Sequence, residues 1–507
     1  MDAVTSRAEA ASPPATTPHS RRWAALAVLG LIQFMLVLDM TVVNIALPGI
    51  QQDLGFTHSG LAWIVNGYIL MAGGLLLLGG RFADIYGRRL LFITGVVVFG
   101  VASAICAAAV NPVMMISGRF LQGAGEALAA PASLGLIAML FTDPKERAKA
   151  LGIWGGIAGL GGVSGAVISG VLTDLASWRW IFYINLPIAV FALIRVMQVV
   201  PESRMTRAYK RIDFPGAVLG TGGLVAIVYG LLQASEHPWG SVEVLLPLLG
   251  GLALLATMVI VEARTREPLI PLNFFTNRTR VATNIVTLFQ ASGFFSYVFL
   301  LTLFEQQVLE YSPLKGGLGY LPLGLGIGVG VGLGAGLMAN MGVKPVLAVG
   351  FFGSAIGLMM TTWMVDVESS YLTGILPGML VFGLFSGLCF PTTANAALHE
   401  VNTENAGLAS GVQTAMQQVG GAVGLAFLVT LALRHTAGEV SDGVPMGLAA
   451  ADGYWLALRI GAGLLIVGGV LILLLFESVS GRPRNQLGEY MPEKQKEQEQ
   501  DTQAKTA

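Results

Sequence analysis

The sequence predicts an all-α integral membrane protein with fourteen transmembrane helices, arranged as two six-helix bundles plus two extra central helices. Three observations carry this. Hydrophobic residues make up 54% of the chain and charged residues only 12%, about half of the roughly 25% usual in soluble domains. Apolar runs long enough for a bilayer core, about 20 residues each, recur along the whole chain. Lys and Arg, finally, concentrate in alternate loops. The 66 glycines fit the same picture, because small residues let membrane helices approach closely.

The runs fall at 23–47, 61–82, 90–110, 113–141, 150–173 and 180–200, then at 213–234 and 243–262. Six more follow at 281–305, 314–339, 344–365, 371–398, 405–433 and 453–477. They divide the chain into an N-terminal six-helix bundle (21–203), a linker with two extra transmembrane helices (204–265) and a C-terminal six-helix bundle (266–478). Polar segments at 1–20 and 479–507 are expected to be disordered cytoplasmic tails. The first run is too long for a signal-peptide core.

Orientation follows from the basic residues. Arg88, Arg89, Lys145, Arg147, Lys149, Arg204, Arg207, Lys210, Arg211, Arg264, Arg266, Arg278 and Arg280 share one side, while Arg179, Lys315 and Arg434 take the other. That bias places both termini in the cytoplasm and the chain, as a multi-pass protein, in the cell (cytoplasmic) membrane.

Several function classes are disfavoured. A net charge of -1 argues against a nucleic-acid partner. Cys106 and Cys389 lie inside apolar runs, which points to neither a disulfide framework nor a metal site. The glycine-rich stretch from Gly324 to Gly336 lacks the lysine and preceding strand of a phosphate loop, so it reads as helix packing. With no nucleophile–base set, an enzyme is not expected. Nor is a cofactor.

The first and last six helices read as copies of one unit. Gly80, Ala83 and Asp84 match Gly336, Ala339 and Asn340, after which the second copy is shorter. Gly123, Pro131 and Ser133 have the spacing of Gly383, Pro391 and Thr393.

Four segments carry a family resemblance: LDMTVVNIALP (Leu38 to Pro48), GRFADIYGRR (Gly80 to Arg89), RFLQGAGEALAAP (Arg119 to Pro131) and SWRWIFYINLP (Ser177 to Pro187). Weaker support comes from EPLIPLNFF (Glu267 to Phe275) and from Gly407 to Gly424. On these the chain resembles the major facilitator superfamily, and within it the fourteen-helix drug:proton antiporters, from Trp23 to about Ser478. One departure concerns the fifth-helix motif, where Ala166 stands in place of the family's proline and Ser169 in place of a glycine. The associated kink is expected to be absent or milder, which weakens the case for antiport over symport.

The resemblance implies a proton-coupled secondary transporter, driven by the proton gradient, that exports lipophilic drugs or antibiotics, cationic ones among them. Its partners would be the lipid bilayer, protons and small lipophilic molecules. A dedicated metabolite exporter or a proton symporter is the alternative within transport. A transport-dead membrane sensor is the alternative of another class.

Charges within a membrane span are costly, about 2.5–3.5 kcal/mol on insertion scales, so each one needs a reason. Asp39 lies about 24 Å along the first helix. Arg119 and Glu126, seven residues apart in the fourth, share a face about 10 Å long with Gln122 between them. A neighbouring guanidinium favours an ionised carboxylate and burial favours the neutral acid. Asp39 and Arg119 are therefore expected to form a switchable pair lining a central cavity, the competing reading being a static buried ion pair. Glu126 would be a second acidic site, and Gln122 and Asn44 complete the proton and substrate set.

Gly80, Asp84, Gly87, Arg88 and Arg89 are expected to form a conformational switch loop, the rival reading being a topology-setting basic loop. Trp63, Tyr68, Phe289, Phe294, Phe295 and Tyr297 are candidates for the cavity lining, although most membrane aromatics only pack. Arg195 and Glu477 read as snorkelling ends. Glu305 and Arg459 read as outer-end residues with a structural or rim role as probable as a functional one. All five histidines fall in loops or at helix ends, so carboxylates must carry any proton.

Overall fold

The computed structural model describes residues 19–200, 213–265, 267–365, 370–401 and 406–476. Both expected tails, apart from His19 and Ser20, lie outside the described residues. So do Arg204, Arg207, Lys210, Arg211, Arg266 and Glu477.

The N-terminal half comprises α1 (His19–Leu54), α2 (His58–Tyr86), α3 (Arg88–Ala107), α4 (Pro112–Leu140), α5 (Pro144–Leu175), α6 (Trp180–Tyr183) and α7 (Asn185–Val199). A central pair follows, α8 (Phe214–Gln233) and α9 (Val242–Arg264). The C-terminal half comprises α10 (Arg278–Leu303), α11 (Pro313–Gly319), α12 (Leu321–Met341), α13 (Val343–Met364), α14 (Ile375–Ala397), α15 (Ala406–Ser441) and α16 (Met446–Leu475). Among the described residues fourteen spans are long and apolar enough to cross a membrane. This is a multi-pass, all-α membrane protein of two six-helix bundles and an extra pair.

Local chemistry explains many starts and stops. Asn111, Asp143 and Asp213 each accept a backbone N–H from the first turn of α4, α5 and α8, with Pro112, Pro144 and Pro215 in the first helical positions. Gly87 (φ 115°) turns α2 into α3, and Gly342 (φ 83°) turns α12 into α13, backbone angles that only glycine adopts cheaply. The two halves thus make the same turn with the same device.

The internal repeat extends to packing. A Cβ on Gly123 of α4 would lie 2.3 Å from the Tyr68 carbonyl oxygen of α2, and one on Gly383 of α14 would lie 2.7 Å from the Leu323 carbonyl oxygen of α12. Each half therefore seats its fourth helix on its second through a glycine that permits backbone contact.

Some span limits differ from the sequence expectation. α15 runs to Ser441 and α16 begins at Met446, since the small residues between 434 and 452 continue the helices instead of making a long loop. The sixth and tenth spans run on through Ile184 and Tyr320, both with right-handed helical backbone angles, as single spans of Trp180–Val199 and Pro313–Met341. α10 widens into a π-helical turn, Phe304–Val308, that extends its span to Val308. α5 runs unbroken from Pro144 to Leu175.

The central pair does more than space the bundles. α8 packs on α2 and on α15, bridging the halves, and α9 packs on α8 while exposing Leu245, Leu246, Leu249 and Leu252. Ser59 Oγ donates to Glu236 Oε1 (2.5 Å), and Arg434 Nη1 donates to the Ala234 and His237 carbonyls (2.7 and 2.9 Å). These bonds tie the turn after α8 to both halves.

The halves meet along α2 and α15, where a Cβ on Gly73 would lie 2.5 Å from Gln418 and one on Gly411 2.9 Å from Leu77, and again at the end that carries the α1–α2 turn. There α11 lies on α5: a Cβ on Gly317 would be 2.4 Å from the Ala166 carbonyl oxygen, and one on Gly170 would be 2.7 Å from that of Pro313. Gln306 Nε2 donates to the Ile45 carbonyl (2.8 Å) and Gln307 Nε2 to Gln51 Oε1 (2.9 Å). Toward the opposite end α5 and α12 are bare. Positions Gly152, Gly155, Gly156 and Gly159 of α5, and Gly328, Gly332 and Gly336 of α12, have no atom within 4 Å of where a Cβ would sit. The α5–α11 seam is thus closed at the α1–α2 end, and toward the other end the glycine faces of α5 and α12 are unpacked while α2 stays on α15.

Candidate functional site

Asp39 sits in the middle of α1 with no solvent exposure. Arg119 Nη1 of α4 donates to its Oδ2 at 2.5 Å. Its Oδ1 accepts from Gln122 Nε2 (2.9 Å) and from Asn185 Nδ2 of α7 (2.8 Å). Both carboxylate oxygens are therefore satisfied, which a buried ionised carboxylate requires.

Arg119 is held just as fully. Its Nε donates to the Ile64 carbonyl of α2 (2.8 Å), its Nη1 also reaches Gln122 Oε1 (2.9 Å), and its Cζ lies 4.4 Å from the Tyr68 ring centre. Ser103 of α3 accepts from Gln122 Nε2 (2.9 Å) and from Asn185 Nδ2 (3.3 Å). The result is a dry polar knot that joins α1, α2, α3, α4 and α7. Asp39 and Arg119 lie sealed inside the N-terminal half in this conformation, not on a cavity wall as the sequence reading had them. The reason is geometric: α7 brings Asn185 over the one side of Asp39 that α2 and α4 leave open.

Two members of the knot went unnoticed in the sequence. Ser103 carries no distinguishing signal. Asn185 belongs to the SWRWIFYINLP segment, which places it in the first turn of α7. The same segment also ties down the helix ends. Trp178 Nε1 donates to Asp53 Oδ2 (3.1 Å), Arg179 pairs with that carboxylate, and Arg179 Nη2 donates to the Ala109 carbonyl (3.0 Å).

Glu126 lies two turns along α4 from Arg119 and is only partly buried, its Oε2 shielded and without a hydrogen-bond partner. The Tyr68 hydroxyl faces both the Leu36 carbonyl (3.4 Å) and the Glu126 carboxylate. Tyr68 thus links the sealed knot to the more open acid. Asn44 stands apart: its Nδ2 donates to the Met40 carbonyl of its own helix (3.3 Å).

The other expected residues fall in three places. In the α2–α3 loop, Arg88 Nη2 pairs with Asp84 Oδ1 (3.1 Å), Arg88 Nη1 donates to the Gly135 carbonyl of α4 (3.1 Å), and Arg89 Nη2 donates to the Met197 carbonyl of α7 (3.3 Å). Gly80 precedes them on α2, its Cβ position 3.7 Å from Pro131. Arg81, which the sequence reading passed over, reaches across to the Pro268 carbonyl ahead of α10 (2.8 Å). Trp63 packs between Phe120 and Tyr229, a seam between α2, α4 and α8.

In the C-terminal half Phe294 lies against Phe382 and Phe390 (ring centres 6.2 and 5.7 Å apart), and Tyr297 lies against Phe382 (4.4 Å). Phe294 and Phe390 remain partly exposed, while Tyr297 is buried. Phe289 and Phe295 pack toward glycines of α16 and α15. Glu305 departs furthest from its expected rim or ion-pair role: it is fully buried, and neither carboxylate oxygen has a hydrogen-bond partner. Arg459 donates to the Thr362 carbonyl (3.1 Å), and Arg195 to Gln198 Oε1 (3.0 Å).

Comparison with known proteins gives this arrangement a family. A family model described as Major Facilitator Superfamily matches residues 29–425. The puromycin resistance protein of Streptomyces alboniger is 39% identical over 467 residues, covering 91% of this chain and 92% of the relative. The lincomycin resistance protein of Streptomyces lincolnensis is 38% identical over 428 residues, covering 82% and 86%. Among solved structures, a bacterial homolog of the human lysosomal transporter Spinster, described as inward-facing and occupied, superposes with a TM-score of 0.62 at 17% identity, covering 90% of this chain and 97% of that one. The chain belongs to the major facilitator superfamily, on the branch that holds these antibiotic resistance and export proteins.

Proposed function

We propose that this chain is a proton-coupled exporter that moves lipophilic drugs or antibiotics, cationic ones among them, out across the cytoplasmic membrane by alternating access. Both termini would face the cytoplasm, so the closed α5–α11 seam faces out and the unpacked glycine faces of α5 and α12 lie toward the inside. The observation that carries the reading is the link from the Asp39–Arg119 knot through Tyr68 to Glu126. It provides a buried carboxylate beside a permanent cation and, two turns away, an acid with an open side.

Arg119 is the fixed charge in this scheme. While Asp39 is ionised the two neutralise one another; a proton on Asp39 would leave Arg119 to seek another anion, and Glu126 is the acid nearest along its helix face. A cationic substrate at Glu126 and a proton in the knot would therefore compete through Tyr68 and Arg119, which is the energetic basis of exchange. The partly exposed Phe294 and Phe390 supply an apolar surface from the other half.

The test uses proteoliposomes with an imposed pH gradient, following efflux of puromycin, lincomycin and ethidium together with proton flux. Substrate-dependent proton movement that disappears in Asp39→Asn supports the proposal. If none of the three moves protons, broad drug antiport is wrong, and a dedicated metabolite exporter becomes the working reading.

A further inference from the structure

The π-helical turn that ends α10 carries three consecutive polar residues, Glu305, Gln306 and Gln307, in an otherwise apolar wall. The two glutamines cross to α1 of the other half, as described above. Glu305 does not cross to α1 and is enclosed. α11 covers it: Cβ positions on Gly316 and Gly319 would lie 3.7 and 3.4 Å from its two carboxylate oxygens. The far side of the same short helix is the one that lies on Ala166 and Gly170 of α5. α11 is thus a thin cover with Glu305 beneath it and the N-terminal half above it.

Nothing around Glu305 pays for an ionised carboxylate. Lys315 on α11 is the charge whose field reaches it, but the ammonium sits over the Tyr311 ring, 3.4 Å from its centre. Two of the nearby phenols are engaged elsewhere, Tyr320 with the Val298 carbonyl (2.9 Å) and Tyr371 with the Gly319 carbonyl (2.6 Å), and the buried Tyr297 hydroxyl makes no hydrogen bond to Glu305. From α16, Tyr454 donates to Gln307 Oε1 (3.3 Å); α1 brings the neutral Gln51, and Glu310 is exposed. A carboxylate sealed without a donor is among the costliest buried groups, whereas the neutral acid is tolerated.

We infer that Glu305 is a proton-binding site built into the seal at the α1–α2 end, protonated while the seal is shut and released to ionise when the seal opens to water. Opening requires α5 to leave α11 and the two glutamines to leave α1, which leaves the short α11 alone between Glu305 and the outer water. A proton taken from the outer water then favours reclosure, because only the neutral acid can be buried again. This rests on the alternating-access reading and orientation above, and is independent of whether Asp39 carries the coupled proton.

The test is pulsed electron–electron resonance between spin labels at Asp174→Cys and Thr373→Cys, exposed positions on opposite halves near that end. Cys106 and Cys389 are buried and stay unlabelled. In nanodiscs without substrate, the native protein should shift from a short to a long distance as pH rises between about 5 and 9, the range that strongly perturbed carboxyls span. Glu305→Gln, which mimics the neutral acid and should fold normally, should stay at the short distance throughout. Glu305→Asp should keep the transition with a displaced midpoint. A native protein without a pH-dependent distance, or a Glu305→Gln variant that opens as the native protein does, overturns the inference. Because no transport is measured, failure of drug export leaves this result standing, and failure here leaves export standing.

Discussion

Asn185 Nδ2 donates to Asp39 Oδ1 at 2.8 Å although the two residues are 146 positions apart in the chain. The bond closes the polar knot from the α7 side. Asn185→Ala should remove one of three hydrogen bonds to the carboxylate and leave the Arg119 pair intact. A loss of about 1–2 kcal/mol is expected, seen as a lower melting temperature in detergent with membrane insertion unchanged. A variant as stable as the native protein would show that Gln122 and Arg119 suffice.

Removing the acid itself is a larger change. Asp39→Asn leaves the Arg119 guanidinium buried without its counter-charge, which costs about 3–5 kcal/mol. Replacing both partners, as in Asp39→Asn with Arg119→Gln, should recover part of that loss in thermal stability while leaving transport absent. If the double variant is no more stable than Asp39→Asn alone, the two residues are not coupled in the folded protein.

The sequence made the spans and the Asp39–Arg119 pair legible for one reason. Charge inside an apolar run carries a free-energy cost that only a specific partner offsets, so the partner is sought and found. Asn185 and Ser103 escaped notice because neutral polar side chains carry no such mark. Glu305 was misread for a different reason. The apolar run appears to end there, and charges at helix ends usually reach water. The π-helical turn continues the wall to Val308 and α11 folds over it, so a residue at the end of the run becomes an interior one. Asn44 shows the converse: it sits in a family motif, yet its side chain bonds within its own helix.

Glu126 is expected to decide which substrates are carried more than whether any are. It is partly open, so its carboxylate can be approached by a cation from the exposed side. Loss of a charge-assisted contact costs about 1.5–3 kcal/mol, or roughly tenfold or more in affinity. Glu126→Gln should therefore weaken ethidium transport at least tenfold and change transport of an uncharged lipophilic substrate by much less. Equal loss for both would make Glu126 part of the proton path instead.

The α2–α3 loop calls for a different readout. The Asp84–Arg88 pair and the Arg88 bond to the Gly135 carbonyl fasten α2, α3 and α4 at the end that carries the unpacked glycine faces of α5 and α12. Asp84→Asn should slow transport several-fold while leaving substrate affinity, measured by tryptophan quenching, nearly unchanged. Parallel loss of binding and transport would place the loop's effect in folding and not in conformational exchange.

The bare glycine faces of α5 and α12 make the last prediction geometric. Both helices present glycines one turn apart, at Gly152 and Gly156 and at Gly328 and Gly332, with nothing packed on them, whereas the same two spans are in backbone contact at the shut end through Gly170 and Gly317. Rocking of one half over the other would exchange these contacts, closing the bare faces while the seal at Gly317 opens. A disulfide needs Cα atoms within about 7 Å, so Gly156→Cys paired with Gly332→Cys should cross-link only in the conformation not seen here. Oxidation should trap that conformation and stop transport, and reduction should restore it. Gly317→Val places a side chain where the Ala166 carbonyl stands, and should raise the cross-linking yield by opposing the seal seen here. If Gly317→Val leaves that yield unchanged, the two ends are not coupled by rocking, and the glycine faces serve only as lipid-facing surface.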